Sequence, residues 1–95
     1  MADEVEIGRV VDYFAHVGVA GIDLTAPLRA GDRIHIRGHT TDFEQVADSI
    51  QVEHAVVQEA KAGDKIGIKV LDRCRSGDHV YRVSPETFVP QVIII

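Results

Sequence analysis

The sequence is poor in cysteine and contains no long apolar run. Cys74 is the one cysteine among 95 residues. A single thiol cannot form an internal disulfide or a cysteine-rich zinc site, and it is typical of a reducing compartment. No apolar stretch approaches the roughly 18 residues that cross a bilayer, so no membrane span is predicted. The acidic start, Met1 to Val10, lacks the basic and then apolar order of a secretory signal, so we expect a cytoplasmic protein.

An excess of positive charge is also missing. Lysine and arginine total 10 against 15 aspartates and glutamates, for a net charge of −5. Indiscriminate nucleic-acid binding needs a field of basic side chains over phosphate, and this balance argues against it while leaving room for a small basic patch. Hydrophobic residues make up 45% and charged residues 26% of the chain, as in an ordinary globular domain with one modest core.

The apolar residues do not recur three and four positions apart, as they would on one face of a helix. They recur at every second position instead. This pattern predicts a nearly all-β chain. We expect strands at about 5–13, 16–24, 32–38, 43–55, 66–70 and 78–83. A change of phase across Ala20 and Gly21 predicts a β-bulge in the second strand. The alternation predicts a core of Ile34, Ile36, Val46, Ile50, Val52, Ile66, Ile68 and Val70, and Cys74 shares the inward parity of the fifth strand.

A short motif recurs three times before a predicted strand, as RAGD at 29–32, KAGD at 61–64 and RSGD at 75–78. Its glycine can take a positive φ, and its aspartate can accept hydrogen bonds from nearby backbone N–H groups. We interpret all three copies as turns. Six short strands with such turns favour a small closed antiparallel barrel, since closure removes exposed edges, and a sandwich is the alternative.

The chain divides into a single β-barrel domain at 1–83 and an apolar C-terminal tail at 84–95. Pro85 and Pro90 each lack an N–H and restrict the residue before them, so the tail is predicted to be extended. Its last residues are apolar and β-prone, and something should cover them. They either seal their own barrel or pack against a second chain, as a homodimer or as a docking arm.

The order of motifs from Val19 to Val83 resembles the β-barrel domain II of translational GTPases such as elongation factor Tu. It is most similar to free-standing translation elongation factor-like proteins, and a similar barrel accompanies some collagenase-like peptidases. The resemblance implies a six-stranded Greek-key barrel that contacts tRNA, ribosomal RNA or a protein and catalyses nothing. The chain contains no G-x-x-x-x-G-K-[ST] loop, so GTP binding is not expected. Lys65 and Lys69 stand at positions that are asparagine and apolar in the tRNA-holding members.

A row of basic side chains is the candidate binding site. If Ile34 and Ile36 face the core, then Arg33, His35 and Arg37 face outward, roughly 7 Å apart from one to the next. With Lys65 and Lys69 this row is our candidate RNA- or partner-binding site, and an ordinary solvated strand face is the alternative.

His35 and His39 have a metal-ligand spacing, but they do not align on a strand followed by a turn. We therefore predict no metal and no cofactor. The alternative is a loop that returns His39 toward His35, with Asp42 or Glu44 as an oxygen donor.

Three functions follow. The first is a non-catalytic translation-factor-like module that contacts RNA. The alternative is a protein-interaction accessory module beside a separate enzyme such as a peptidase. An enzyme or small-ligand binder ranks third, because the serines have no nucleophile motif or evident base and no catalytic constellation is found.

Overall fold

The computed structural model describes residues 4–84. The predicted extended C-terminal tail lies, beyond Ser84, outside the described residues. The described part of the chain forms ten β-strands, at Glu4–Phe14 (β1), Val19–Leu24 (β2), Leu28–Arg29 (β3), Arg33–Arg37 (β4), Asp42–Val46 (β5), Gln51–Val52 (β6), Ala55–Val56 (β7), Glu59–Ala60 (β8), Lys65–Lys69 (β9) and His79–Val83 (β10). Across residues 4–84, no helix is long and apolar enough to cross a membrane.

Eight strands form one antiparallel sheet in the order β5-β4-β10-β1-β2-β9-β6-β7, and β3 pairs with β8 in a small second sheet. The all-β, antiparallel part of the prediction is confirmed. The two end strands of the large sheet, β5 and β7, are not paired with each other in the part of the chain that is described. Closure into a six-stranded barrel therefore stays a prediction.

The side chain of Gln45 links the end strand β5 to β9, which lies far from it in the strand order. Its Nε2 donates to the carbonyl of Lys69 at 2.8 Å, and its Oε1 accepts from the backbone N–H of Leu71 at 2.7 Å. An amide side chain thus connects β5 to the end of β9 by two hydrogen bonds to the backbone.

The core prediction is largely confirmed. Six of the eight residues are buried, and Val52 packs partly buried against them. Cys74 points inward with 2% exposure, also as predicted. The six buried residues are Ile34, Ile36, Ile50, Ile66, Ile68 and Val70.

Val46 is the exception, with 47% of its surface exposed. The predicted strand at 43–55 is broken, since β5 ends at Val46 and β6 begins at Gln51. In β5 the register sets Gln45 opposite Ile34, and Gln45 and Ala47 are the buried residues on either side of Val46. The prediction followed the alternation of apolar residues across this break, and it therefore placed Val46 on the buried face when the residue lies on the outer one.

The bulge predicted in β2 is also misplaced. β2 pairs with β9 without interruption, and Ala20 and Ile22 are both buried. The register shift lies opposite, in β1 between Val10 and Asp12. A bulge changes the pairing of two strands together, so the sequence of one strand does not show which of the two carries the extra residue.

All three Gly-Asp motifs form the same turn, as predicted. Gly31, Gly63 and Gly77 have φ of 99°, 94° and 98°. In each copy, Oδ2 of the aspartate accepts the backbone N–H of the basic residue three positions earlier, at 3.0, 2.9 and 2.8 Å respectively. The local chemistry read from the motif is therefore present in every copy.

Each turn also binds a buried residue of another segment through two backbone hydrogen bonds. The glycine N–H donates to the carbonyl of Ala47, Leu24 or Val10, and the N–H of that same residue donates to the carbonyl of the turn aspartate. These bonds span 2.7 to 2.9 Å. These hydrogen bonds thus connect the three turns to three separate buried segments.

We predict that Gly63→Ala lowers the free energy of unfolding by about 1–2 kcal/mol, the cost of a left-handed backbone for an L-residue. No atom lies within 4 Å of the added Cβ, so steric overlap does not contribute. Gly67→Ala in β9 is the matched control, since its Cβ meets Val19 Cγ1 at 3.4 Å. Urea denaturation should show a clearly smaller loss for the control, and equal losses would contradict the backbone argument.

We also predict that Gln45→Leu, which keeps the buried volume, costs about 1–3 kcal/mol, because two backbone groups lose their partner. Gln51→Leu on the exposed part of β6 is the control. A loss no greater than that of the control would show that the Gln45 bridge does not hold the end strand.

Candidate functional site on the polar face

Strands β5, β4, β10 and β1 are neighbours in the sheet, and one side of them is polar. The side chains of Ile34, Ile36 and Val80 are buried on the other side. Because side chains alternate along a strand, the intervening residues share the outer side. We call this surface the polar face, formed by Glu4, Glu6, Arg33, His35, Arg37, Asp42, Glu44, His79 and Tyr81.

His35 lies on this face as predicted, but it is not exposed. Its side chain retains only 10% exposure. The register places it between Glu44 on β5 and Tyr81 on β10. Nδ1 lies 2.7 Å from Oε2 of Glu4, and Nε2 lies 2.5 Å from Oδ1 of Asp42. The alternative of an ordinary solvated strand face was wrong at this residue, because the side chains of Glu4 and Asp42 contact the two nitrogens of its ring.

The two carboxylates favour a protonated imidazolium, in which both ring nitrogens donate. Burial by itself lowers the pKa of His35, whereas hydrogen bonds and charges from Asp42 and Glu4 raise it, and the net pKa lies above the ordinary 6.5. His35 therefore connects three strands through charge-assisted hydrogen bonds.

The other basic residues of the polar face also have partners on it. Arg33 Nε lies 3.0 Å from Oε1 of Glu44. The guanidinium of Arg37 lies 5.1 Å from the centre of the Tyr81 ring. His79 Nδ1 lies 2.6 Å from Oε2 of Glu6. The predicted basic row is thus balanced locally by carboxylates and an aromatic ring.

Lys65 and Lys69 are not part of this face. Both are exposed on β9, which pairs with β2 and β6. They lie opposite Asp23 and Val19. The predicted five-residue site is therefore divided between β4 and β9, which three other strands separate in the strand order.

His39 follows β4 and lines an open depression of about 630 Å³ together with Arg37, Arg75, His79 and Tyr81. The residue that the loop brings to His35 is Asp42, one of the two oxygen donors considered from the sequence. The sequence could not indicate Glu4, since 31 positions separate it from His35. Only the order of strands brings the two together.

Cys74 is unsuited to nucleophilic chemistry. Burial, and then the charge of Asp78, raise the pKa of its thiol to about 11. A thiol with this pKa stays protonated at neutral pH, and the thiolate is the reactive form.

No family model matches the chain. It is, however, 44% identical over 79 residues to an uncharacterized protease of Methanocaldococcus jannaschii, covering 82% of this chain and 19% of that protein. It is also 33% identical over 81 residues to a collagenase of Porphyromonas gingivalis, covering 83% of this chain and 20% of that protein. The chain is homologous to part of these proteins. It spans about a fifth of the length of the curated relatives that it matches.

The fold is also that of solved structures. Two crystal structures of the C-terminal domain of a candidate U32 peptidase from Geobacillus thermoleovorans align with a TM-score of 0.76 and 22% identity. The alignment covers 80% of this chain, and 96% of the selenomethionine variant of that domain. This chain therefore has the architecture of that C-terminal domain. Its sequence is homologous to segments of proteins named as a protease and a collagenase.

The expectations of a role in translation and of RNA binding were wrong, because these relatives are named as a protease, collagenases and a peptidase domain. They agree with the other part of the resemblance, to the accessory barrel of collagenase-like peptidases. The Gly-Asp turns and the alternation that carried the resemblance specify a fold, and one fold serves unrelated functions.

We predict a pH dependence of stability from His35, measured by urea denaturation in the presence of a chelator. The folded pKa is raised above the unfolded value of 6.5, so the native state binds more protons between the two values. The stabilisation is complete below 6.5 and is lost as the pH rises through the folded pKa. Asp42→Asn should reduce this slope, whereas Glu59→Gln on the exposed end of β8 should not. If the free energy of unfolding rose with pH across this window because of His35, the assignment of a raised pKa to His35 would be contradicted.

Proposed function

We propose that this chain is a non-catalytic accessory module that acts beside a peptidase domain. The observation that carries the proposal is the match of 79 residues, at 44% identity, to about a fifth of a protein named as a protease. Most of that protein lies outside the matched segment and has room for a separate catalytic domain. The likeness to a peptidase C-terminal domain supports the same reading at the level of the fold.

The side chains of the module support a role without catalysis. Within residues 4–84, the hydrogen-bond partners of the His35 and His79 rings are carboxylates, and no serine, threonine or cysteine is bonded to either ring. A nucleophile needs an adjacent base to be activated. The thiol of Cys74 is buried and protonated, so it does not meet this need either.

We also propose that the sheet closes into a barrel. The Gln45 bridge between β5 and β9 supports closure, because it joins the end of the strand order to an interior strand. A closed sheet presents few free strand edges, which suits a module that must not pair with itself.

One end of the molecule offers apolar contact area for a neighbouring domain. Phe14, Val17 and Leu71 are 52%, 58% and 81% exposed. The N–H of Val70 donates to the carbonyl of Gly18 at 2.9 Å, so the turn after β1 lies beside Leu71. Clustered exposed apolar side chains are typical of protein contact sites. In this proposal the peptidase domain covers them.

The test uses the full-length M. jannaschii protease with its homologous segment replaced by this chain. We expect Phe14→Ser combined with Leu71→Ser to lower the melting temperature of the chimera by several degrees, as a loss of about 1 kcal/mol would. The same pair should shift the melting of the isolated chain little, because both residues are exposed.

Val5→Ser is the matched control. Val5 is 51% exposed, and it lies near the opposite end of β1, about 30 Å from Phe14. Equal shifts for the control and the double variant would contradict the docking surface, and independent melting of the module would contradict the accessory role. Cleavage of casein by the isolated, repurified chain would refute the non-catalytic assignment.

A further inference from the structure

Three strands bring together a set of metal-ligand atoms on the polar face. Glu4 of β1, His35 of β4 and Glu44 of β5 each offer one donor atom, and these atoms lie within 4.8 Å of one another. His35 and Glu44 are directly opposed in the ladder, and Glu4 reaches the ring from β1 on the far side of β10. The set therefore depends on the sheet order and not on any local spacing.

The donor set has the chemistry of a first-row transition-metal site. Imidazole nitrogen and carboxylate oxygen are the ligands that Zn²⁺ accepts beside thiolate. Two carboxylates balance the charge of a divalent ion, and three protein ligands leave one tetrahedral position for water.

Asp42 supplies a feature that metal-bound histidines commonly have. Such a histidine donates its second ring N–H to a carboxylate, which fixes the tautomer and the ring orientation. Nε2 of His35 has this partner in Asp42, at 2.5 Å. The arrangement leaves Nδ1, which lies 2.7 Å from Glu4, as the nitrogen for an ion.

The side chains can reach metal-binding distances with small movements. Zinc–ligand bonds of about 2.0–2.2 Å place tetrahedral donors about 3.3 Å apart. The His35 ring is held in place, whereas the side chains of Glu4 and Glu44 are 28% and 41% exposed and can rotate toward it. Arg33 Nε lies 3.0 Å from Oε1 of Glu44, and this contact uses one of the two carboxylate oxygens.

We propose that Glu4, His35 and Glu44 bind one first-row divalent cation, with Zn²⁺ as the chosen ion and Asp42 as a positioning residue. On binding, the metal takes the Nδ1 lone pair, and the proton held between Nδ1 and Glu4 passes to solvent. The Nε2 proton stays on the hydrogen bond to Asp42. The proposed site differs from the sequence-based prediction of no metal, which rested on His35 and His39 not aligning on a strand followed by a turn. It is independent of the proposed function.

The test is isothermal titration of the chelator-treated, metal-free full chain with ZnCl₂ at neutral pH, in two buffers of different ionisation enthalpy. We expect one equivalent to bind with release of a proton, since ligands must be deprotonated to coordinate. Zn²⁺ should also raise the melting temperature, because the ion binds the folded state alone. Co²⁺ should give the visible spectrum of a low-coordinate nitrogen and oxygen site.

Two variants and one control make the assignment specific. Glu44→Gln removes a ligand from the surface without emptying the core and should abolish stoichiometric binding. Asp42→Asn should weaken binding about 10- to 100-fold, the usual effect of changing the carboxylate behind a histidine ligand. His79→Gln is the control, because His79 pairs with Glu6 on the same face and lies outside the three-residue donor set.

The inference is overturned if Zn²⁺ fails to bind at millimolar concentration. It is equally overturned if binding persists unchanged in both Glu44→Gln and Asp42→Asn, or if His79→Gln weakens it as much as they do. Binding without release of a proton would exclude Nδ1 of His35 as the ligand.

Discussion

The paired backbone hydrogen bonds between each Gly-Asp turn and a buried residue hold this fold together. Val10, Leu24 and Ala47 are buried, and a buried backbone N–H or C=O without a partner is costly. The three turns supply both partners in each case. They can do so because glycine accepts a positive φ and because the aspartate carboxylate satisfies the first N–H of the turn. Within residues 4–84, strands and turns alone therefore enclose the core.

The polar face is the outer side of strands that bury their apolar residues in this core. With the apolar side chains of β4 and β10 turned inward, their alternating residues meet those of β1 and β5 outside. The polar side chains on this side are paired, as in Arg33 with Glu44 and His79 with Glu6. Pairing of this kind leaves little free positive potential, in keeping with the net charge of −5. The polar face is therefore better suited to contact with one ion or protein than to binding phosphate backbones.

His35 shows how far sequence reasoning reached at the candidate site. Alternation with Ile34 and Ile36 correctly placed it, with Arg33 and Arg37, on the outer side of β4. Its burial was missed because the covering groups come from other strands. Glu4 reaches it across β10, and no local pattern encodes the order of strands. Lys65 and Lys69 were grouped with the row for the same reason, although β9 lies elsewhere in the sheet.

The sequence by itself determined the β class, the three turns and most of the core, because alternation and glycine chemistry act between near neighbours in the chain. The inward position of Cys74 belongs with these. Tertiary structure alone decided which strands pair, where the bulge in β1 lies and why Gln45 is buried in place of Val46. It also brought the carboxylates of Glu4, Asp42 and Glu44 together around the ring of His35. These features depend on contacts between strands far apart in sequence, and their energies are set by register and packing, which local periodicity does not contain.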